Sequence, residues 1–289
     1  PPTGHMLAFL FATIGYAILA MQFPSIIFAY AALAASIGTV AYGLRVAELP
    51  TEWYATVASI LALVYIFIGQ HTQRIKTEST IIPSYVKALN ITGLLLICIG
   101  ALSGFVFSLD STRLWAGVIG MTLAAFDLAI CAYIFGNSLY TLSASSLFIL
   151  PFAITFGRWF TDTKIAQPLS WLTVAIGGLA FAYLLIGAGL RKTQVHARWL
   201  FAVGHVLAGA ALFILPFDYL IYSEKWQHTA ALCALGIGIG SYLLSFILQH
   251  SEQHASLTEV SRWLPFGFGK SLFLWPIGLL IPIWLTVAW

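Results

Sequence analysis

About ten apolar stretches, each long enough to form a membrane-spanning helix, follow one another along this chain of 289 residues. A helix needs about 20 predominantly apolar residues to cross the hydrocarbon core of a bilayer. The candidate spans are 6–22, 24–45, 53–70, 87–109, 114–136, 138–157, 167–190, 198–222, 228–249 and 265–287. A count of nine stays open, because the breaks near Pro24 and Asn137 are very short. We therefore predict an all-α integral membrane protein, a polytopic bundle of about ten transmembrane helices.

The composition excludes a soluble domain of this size. Charged residues make up 8% of the chain and hydrophobic residues 60%, whereas soluble domains carry about 25% charged residues. The longest polar breaks, about 71–86 and 250–264, are too short to fold separately, so we expect one transmembrane domain over 1–289. The lipid bilayer is the first partner. The net charge of +3 is small and dispersed, which gives no reason to expect nucleic acid.

Two short sequence motifs recur inside the apolar stretches and predict internal repeats. The Pro motif, Leu-Phe-Ile-Leu-Pro-Phe in its first two copies, is marked by Pro151, Pro216 and, in a looser copy, Pro276. The Tyr motif is marked by Tyr65, Tyr133, Tyr183 and Tyr242. Their alternation predicts repeated helical hairpins, since stacked two-helix units bury their faces only against neighbours. These seven residues are interpreted as structural markers of the repeat.

Asp127 is the acidic residue that lies well inside a predicted span. A charged side chain at the bilayer centre costs about 2.5–3.5 kcal/mol on insertion scales, so it needs a partner or a function. The positions six residues before the four Tyr markers hold Ser59, Asp127, Gly177 and Gly236, and such small residues are typical of a close helix-packing seam. Asp127 is therefore either a proton or cation site, or a protonated residue that hydrogen-bonds across the seam.

His205 lies about two turns inside its predicted span and is the candidate axial ligand of a haem or pigment. A bis-histidine haem needs a second imidazole at matched depth, and His71 and His250 instead end their spans. A hydrogen-bonded core histidine is the simpler interpretation. No motif predicts a metal or a particular cofactor, and no nucleophile or zinc-binding motif indicates an enzyme.

The polar residues are too few to identify an activity. The interpretation that we favour from sequence is a non-catalytic structural or accessory subunit of a larger membrane assembly, with other membrane proteins as partners. The alternatives are a small-solute or proton-coupled transporter that uses Asp127, and a haem- or pigment-binding redox subunit that uses His205. Eight of the 13 Lys and Arg residues fall on one predicted side. The positive-inside rule then places both termini on the non-cytoplasmic side, in a bacterial cytoplasmic membrane.

Overall fold

The computed structural model describes residues 2–23, 25–74, 82–164, 168–190 and 194–222, and all regular structure in these ranges is helical. A short 3-10 turn, Thr51–Trp53, precedes the third α-helix. The eight α-helices are α1 Pro2–Gln22, α2 Ile26–Val46, α3 Tyr54–Arg74, α4 Ile82–Ser108, α5 Leu114–Phe135, α6 Ser138–Thr163, α7 Pro168–Gly189 and α8 Gln194–Tyr222. The all-α prediction is confirmed for this part of the chain.

The helices α1 to α7 supply seven segments that are long and apolar enough to cross a membrane. Each predicted span up to residue 222 coincides with one of the eight helices. The predicted spans 228–249 and 265–287 lie outside the described residues, so the count of ten remains a prediction, as do the repeated hairpins. Seven such helices make the chain an integral membrane protein whose surroundings are a lipid bilayer.

Several helices are longer than the apolar stretches that predicted them. The third helix continues to Arg74, the fourth begins at Ile82, and the sixth continues to Thr163, against predicted limits at 70, 87 and 157. A helix satisfies its own backbone groups, so it can continue past the hydrocarbon into the headgroup layer. At about 1.5 Å per residue, the 26 residues of α6 extend about 39 Å, close to the thickness of a bilayer with its headgroups.

The helices group into two compact units. Unit 1 contains α1 to α4, α5 as far as Cys131, and Leu147–Ile154 of α6. Unit 2 contains Ala132–Ser146 and the described residues from Thr155 to Tyr222. In unit 1, α1 pairs with α2, α3 pairs with α4, and α2 also contacts α4. In unit 2, α7 pairs with α8. Exposed large apolar side chains recur along α1, at Leu7, Phe11, Ile14, Ile18 and Met21, as expected for a helix with one side towards lipid.

A two-residue connection joins α5 to α6. Gly136 has a φ of +62°, a left-handed conformation that glycine adopts without a steric penalty. The side chain of Asn137 then accepts a hydrogen bond from the backbone N–H of Leu139 at 3.0 Å, which caps the first turn of α6. These two residues account for the abrupt break that separates the fifth and sixth predicted spans.

Candidate functional site

Asp127 occupies the middle of α5, and its residue surface is 1% exposed. Its neighbours one turn away on the same helix, Ala124 and Cys131, are fully buried. Ser59 of α3, also 1% exposed, interacts with the Asp127 carboxyl. Ser59 lies six residues before Tyr65, just as Asp127 lies six residues before Tyr133. These two equivalent positions of successive Tyr motifs are thus neighbours in space.

The carboxyl is buried because small residues let α3, α4 and α5 approach closely. A methyl group added at Gly100 of α4 would lie 2.9 Å from Ser59 Oγ and 3.2 Å from the backbone oxygen of Ala55. One added at Gly104 would lie 3.0 Å from the backbone nitrogen of Met121 on α5. One added at Gly120 would lie 2.8 Å from Ala55 Cβ. Glycine is therefore required at this three-helix seam, where the backbones leave no room for a side chain.

Polar side chains in this part of unit 1 are buried without hydrogen bonds. Within the described ranges, the buried side-chain atoms that lack a partner are Thr56 Oγ1, Ser59 Oγ, Asn90 Oδ1 and Asp127 Oδ2. Ser59 and Asp127 interact, yet these two oxygens do not reach hydrogen-bonding geometry. A buried polar group left unsatisfied costs about 1–3 kcal/mol. The four groups therefore reduce stability, and a role beyond packing would explain why the chain retains them.

No basic side chain neutralises Asp127 in the described residues. The ion pairs there are Arg113 with Asp110 at 3.7 Å and Arg158 with Asp162 at 3.0 Å, and both are half-exposed pairs near helix ends. An unpaired carboxylate in a low-dielectric interior is far more costly than a neutral carboxyl. The surroundings of Asp127 therefore favour its protonated form, and the unpaired oxygens beside it leave room for a change of hydrogen bonding.

His205 lies inside α8 and is partly buried. Its Nδ1 donates a hydrogen bond to the backbone oxygen of Phe201 at 2.6 Å, which is the contact expected of a hydrogen-bonded core histidine. His196 begins the same helix, and its Nδ1 is 2.6 Å from Thr141 Oγ1. Nine residues separate the two histidines, about 14 Å along a helix, so they cannot both bind one haem iron. The described residues contain no cluster of three metal-binding side chains, and His205 as an axial ligand stays a prediction.

The described Tyr markers differ in their surroundings. Tyr65 and Tyr183 are each 6% exposed, and each hydroxyl bonds to the preceding helix. Tyr65 pairs with the hydroxyl of Ser36, and Tyr183 donates to the backbone oxygen of Ser145 at 2.7 Å. Tyr133 is 89% exposed.

The described Pro markers lie inside helices. Helix α6 continues through Pro151, and α8 continues through Pro216. Tyr242 and Pro276 lie outside the described residues.

Sequence reasoning identified Asp127 and aligned Ser59 with it, but it did not select Thr56 or Asn90 as site residues. The only signal for these two residues was that each is a polar residue within an apolar stretch. This signal is not specific, because most residues of that kind hydrogen-bond to the backbone of their own helix. Thr122, on the same helix as Asp127, does so through the oxygen of Val118 at 2.8 Å. No protein-family model, curated protein or solved structure matches the chain, so the site is interpreted from its own geometry.

Proposed function

We propose that this protein is a proton-coupled membrane transporter in which Asp127 takes up and releases the proton. The observation that carries the proposal is a fully buried carboxyl that lies beside the Ser59 hydroxyl and has no basic partner in the described residues. A carboxyl that exchanges its proton needs neighbouring groups that are able to change partners.

The nature of the neighbours supports a proton rather than a metal ion as the bound species. Asp127 supplies one carboxylate, and the nearby unpartnered groups are hydroxyls, which bind a divalent cation weakly. Protonation neutralises the carboxyl without any additional ligand. The transported solute is a small molecule or ion whose movement is coupled to this protonation, as the transporter alternative in the sequence analysis requires.

The test compares Asp127→Asn with the matched control Asp110→Asn, which removes an exposed carboxyl near the end of α4. Purified protein is reconstituted into liposomes, and proton entry is followed with an internal pH dye under an imposed membrane potential. We expect Asp127→Asn to reduce proton entry at least tenfold, and Asp110→Asn to leave it unchanged. Infrared spectra should show a protonated carboxyl band in the wild type and the control but not in Asp127→Asn.

The accessory-subunit and cofactor interpretations are the alternative outcomes of this experiment. Equal proton entry in wild type and Asp127→Asn, with both correctly inserted, would refute the transport proposal. Recovery of stoichiometric partner chains after gentle detergent extraction would then favour an accessory subunit. A visible absorption band that disappears in His205→Ala would favour a haem- or pigment-binding subunit.

A further inference from the structure

The α3–α4 hairpin of unit 1 and the α7–α8 hairpin of unit 2 have the same internal packing register. A methyl group added at Gly93 would lie 3.0 Å from the backbone oxygen of Ala62, and one added at Gly204 would lie 3.3 Å from that of Ala180. The side chains nearest to these added methyl groups also correspond, Ile66 at 2.7 Å and Leu184 at 3.0 Å. Residues of α7 follow their α3 counterparts by 118 positions, and residues of α8 follow their α4 counterparts by 111.

Burial along the two hairpins follows the same offsets. The buried positions of α3 are Ala55, Ser59, Ala62, Tyr65, Ile66 and Gly69, and the positions 118 residues later are all buried. From 92 to 100 on α4 and from 203 to 211 on α8, the order of buried, intermediate and exposed residues is identical. The two buried Tyr markers are one of these equivalent pairs. Both of their hydroxyls bond to the preceding helix, at Ser36 and Ser145.

The two hairpins differ at the positions that carry unpartnered polar atoms. Thr56, Ser59 and Asn90 in the first hairpin correspond to Val174, Gly177 and Phe201 in the second. Gly69 packs against Asn90, and a methyl group added at Gly69 would lie 2.7 Å from Asn90 Oδ1. The equivalent Gly187 packs against the ring of Phe201, and a methyl group added at Gly187 would lie 3.2 Å from that ring. The second hairpin therefore forms the same contacts with apolar residues or glycine. Packing alone does not require the three polar side chains of the first hairpin.

These polar groups lie on both sides of the level of Ser59 along α3. Thr56 is in the first turn of α3, one turn before Ser59, whereas Asn90 packs at the level of Gly69, near the other end of that helix. Thirteen residues separate Thr56 from Gly69, which is about 20 Å along the helix. Ser59 and Gly69 are ten residues apart, about 15 Å along the helix, so Thr56 lies close to the Ser59–Asp127 pair and Asn90 lies at the far end of the same seam.

We infer that Thr56, Ser59 and Asn90 are positioning residues for the proton of Asp127. They are present in only one of the two structurally equivalent hairpins, and the other hairpin has apolar residues or glycine in their place. This inference rests on the proposed function of Asp127. Thr56 and Ser59 serve one direction of approach to the carboxyl and Asn90 serves the other. A hydroxyl relays a proton by accepting one and donating its own, with no net chemical change, whereas an amide orients the hydrogen-bonding groups around it.

The test gives the first hairpin the residues of the second, in Thr56→Val, Ser59→Gly and Asn90→Phe, singly and together. The readout is the rate at which the Asp127 carboxyl band shifts when reconstituted protein is transferred to deuterated buffer, measured by infrared spectroscopy. We expect the triple variant to exchange at least tenfold more slowly than the wild type. Ser59→Thr and Asn90→Gln keep the polar groups and should restore exchange to within about twofold.

Gly177→Ser is the matched control, because it adds a hydroxyl at the equivalent position of the second hairpin and should not change the exchange rate. Wild-type exchange in the triple variant, with Asp127→Asn still blocking proton entry, would overturn the positioning inference alone. Normal proton entry in Asp127→Asn would overturn both proposals. Because the replacements are those of an equivalent hairpin, each single variant should fold, and Asn90→Leu supplies a smaller apolar side chain. Failure of Thr56→Val, Ser59→Gly and Asn90→Leu to insert and fold would overturn the equivalence.

Discussion

The contact between Gly100 and Ser59 predicts that Ser59→Gly will offset part of the cost of Gly100→Ala. In the second hairpin the equivalent positions are Ala211 and Gly177, both buried. The first hairpin therefore places a serine on its first helix against a glycine on its second. The other hairpin has a glycine on its first helix and an alanine on its second, so each hairpin has one small side chain at this level.

The cost of Gly100→Ala follows from the distances. The new methyl group would lie 2.9 Å from Ser59 Oγ and 3.2 Å from the backbone oxygen of Ala55. The contact with the Ser59 hydroxyl is the closer of the two, and it is the one that Ser59→Gly removes, whereas the contact with the backbone oxygen remains. Overpacking of a well-packed interior costs about 1–3 kcal/mol, and we expect a loss within this range. Ser59→Gly alone lowers helix stability by about 0.5–1 kcal/mol, and it also removes a buried hydroxyl that lacks a partner, so the two effects oppose each other.

The double variant Ser59→Gly/Gly100→Ala reproduces the residue pair of the second hairpin. We expect it to be more stable than the sum of the single variants predicts, with a coupling energy of about 0.5–3 kcal/mol. Unfolding of the detergent-solubilised protein by increasing denaturing detergent, followed by circular dichroism, gives the four free energies of the cycle. Additive single effects would refute the reasoning, because they would show that these two positions do not share one space.

Two further predictions concern hydrogen bonds away from the seam. Tyr65→Phe and Tyr183→Phe should each lower the free energy of unfolding by about 1 kcal/mol, the usual worth of one hydrogen bond; the exposed Tyr133→Phe is the control, and equal effects of all three would contradict the assignment. Asp110 accepts hydrogen bonds from Thr112 N at 3.0 Å and Thr112 Oγ1 at 2.8 Å, and these bonds hold the pKa of its carboxyl below its ordinary value. A lowered pKa means that the folded state gains stability from the ionised carboxylate above the ordinary pKa and loses it as pH falls through the lowered value. The difference in stability between wild type and Asp110→Asn should therefore disappear in acid, and a difference that persists below the lowered pKa would exclude this cause.

The fold was predictable to the extent that hydrophobic length determines it. Each apolar stretch up to residue 222 forms one helix, because a segment in lipid must satisfy its own backbone groups. Helix ends were less predictable, since the first charged residue marks the edge of the hydrocarbon and not the end of backbone hydrogen bonding. Lys87 of α4 illustrates this, because it lies inside its helix with an exposed side chain.

The candidate site was predictable only at its charged residue. Asp127 stands out because an acid inside an apolar stretch is rare, whatever the neighbouring helices do. Thr56 and Asn90 depend on which face of each helix is covered and on whether a partner lies within reach. Tyr65 and Tyr133 show the same limit, because matching motifs place one residue in a buried contact and leave the other exposed. Sequence similarity between spans does not specify which helix packs against them.

The second hairpin indicates whether the unpartnered polar side chains of the first hairpin are needed for packing. A buried unsatisfied group costs about 1–3 kcal/mol, and natural proteins are only marginally stable, so unpartnered groups that serve nothing should be lost readily to apolar replacements. The second hairpin carries such replacements at the positions of Thr56, Ser59 and Asn90 while keeping the same register and burial. The unpartnered atoms of the described chain all lie in unit 1, the unit that contains Asp127. Their cost is therefore confined, within the described residues, to the unit that contains Asp127.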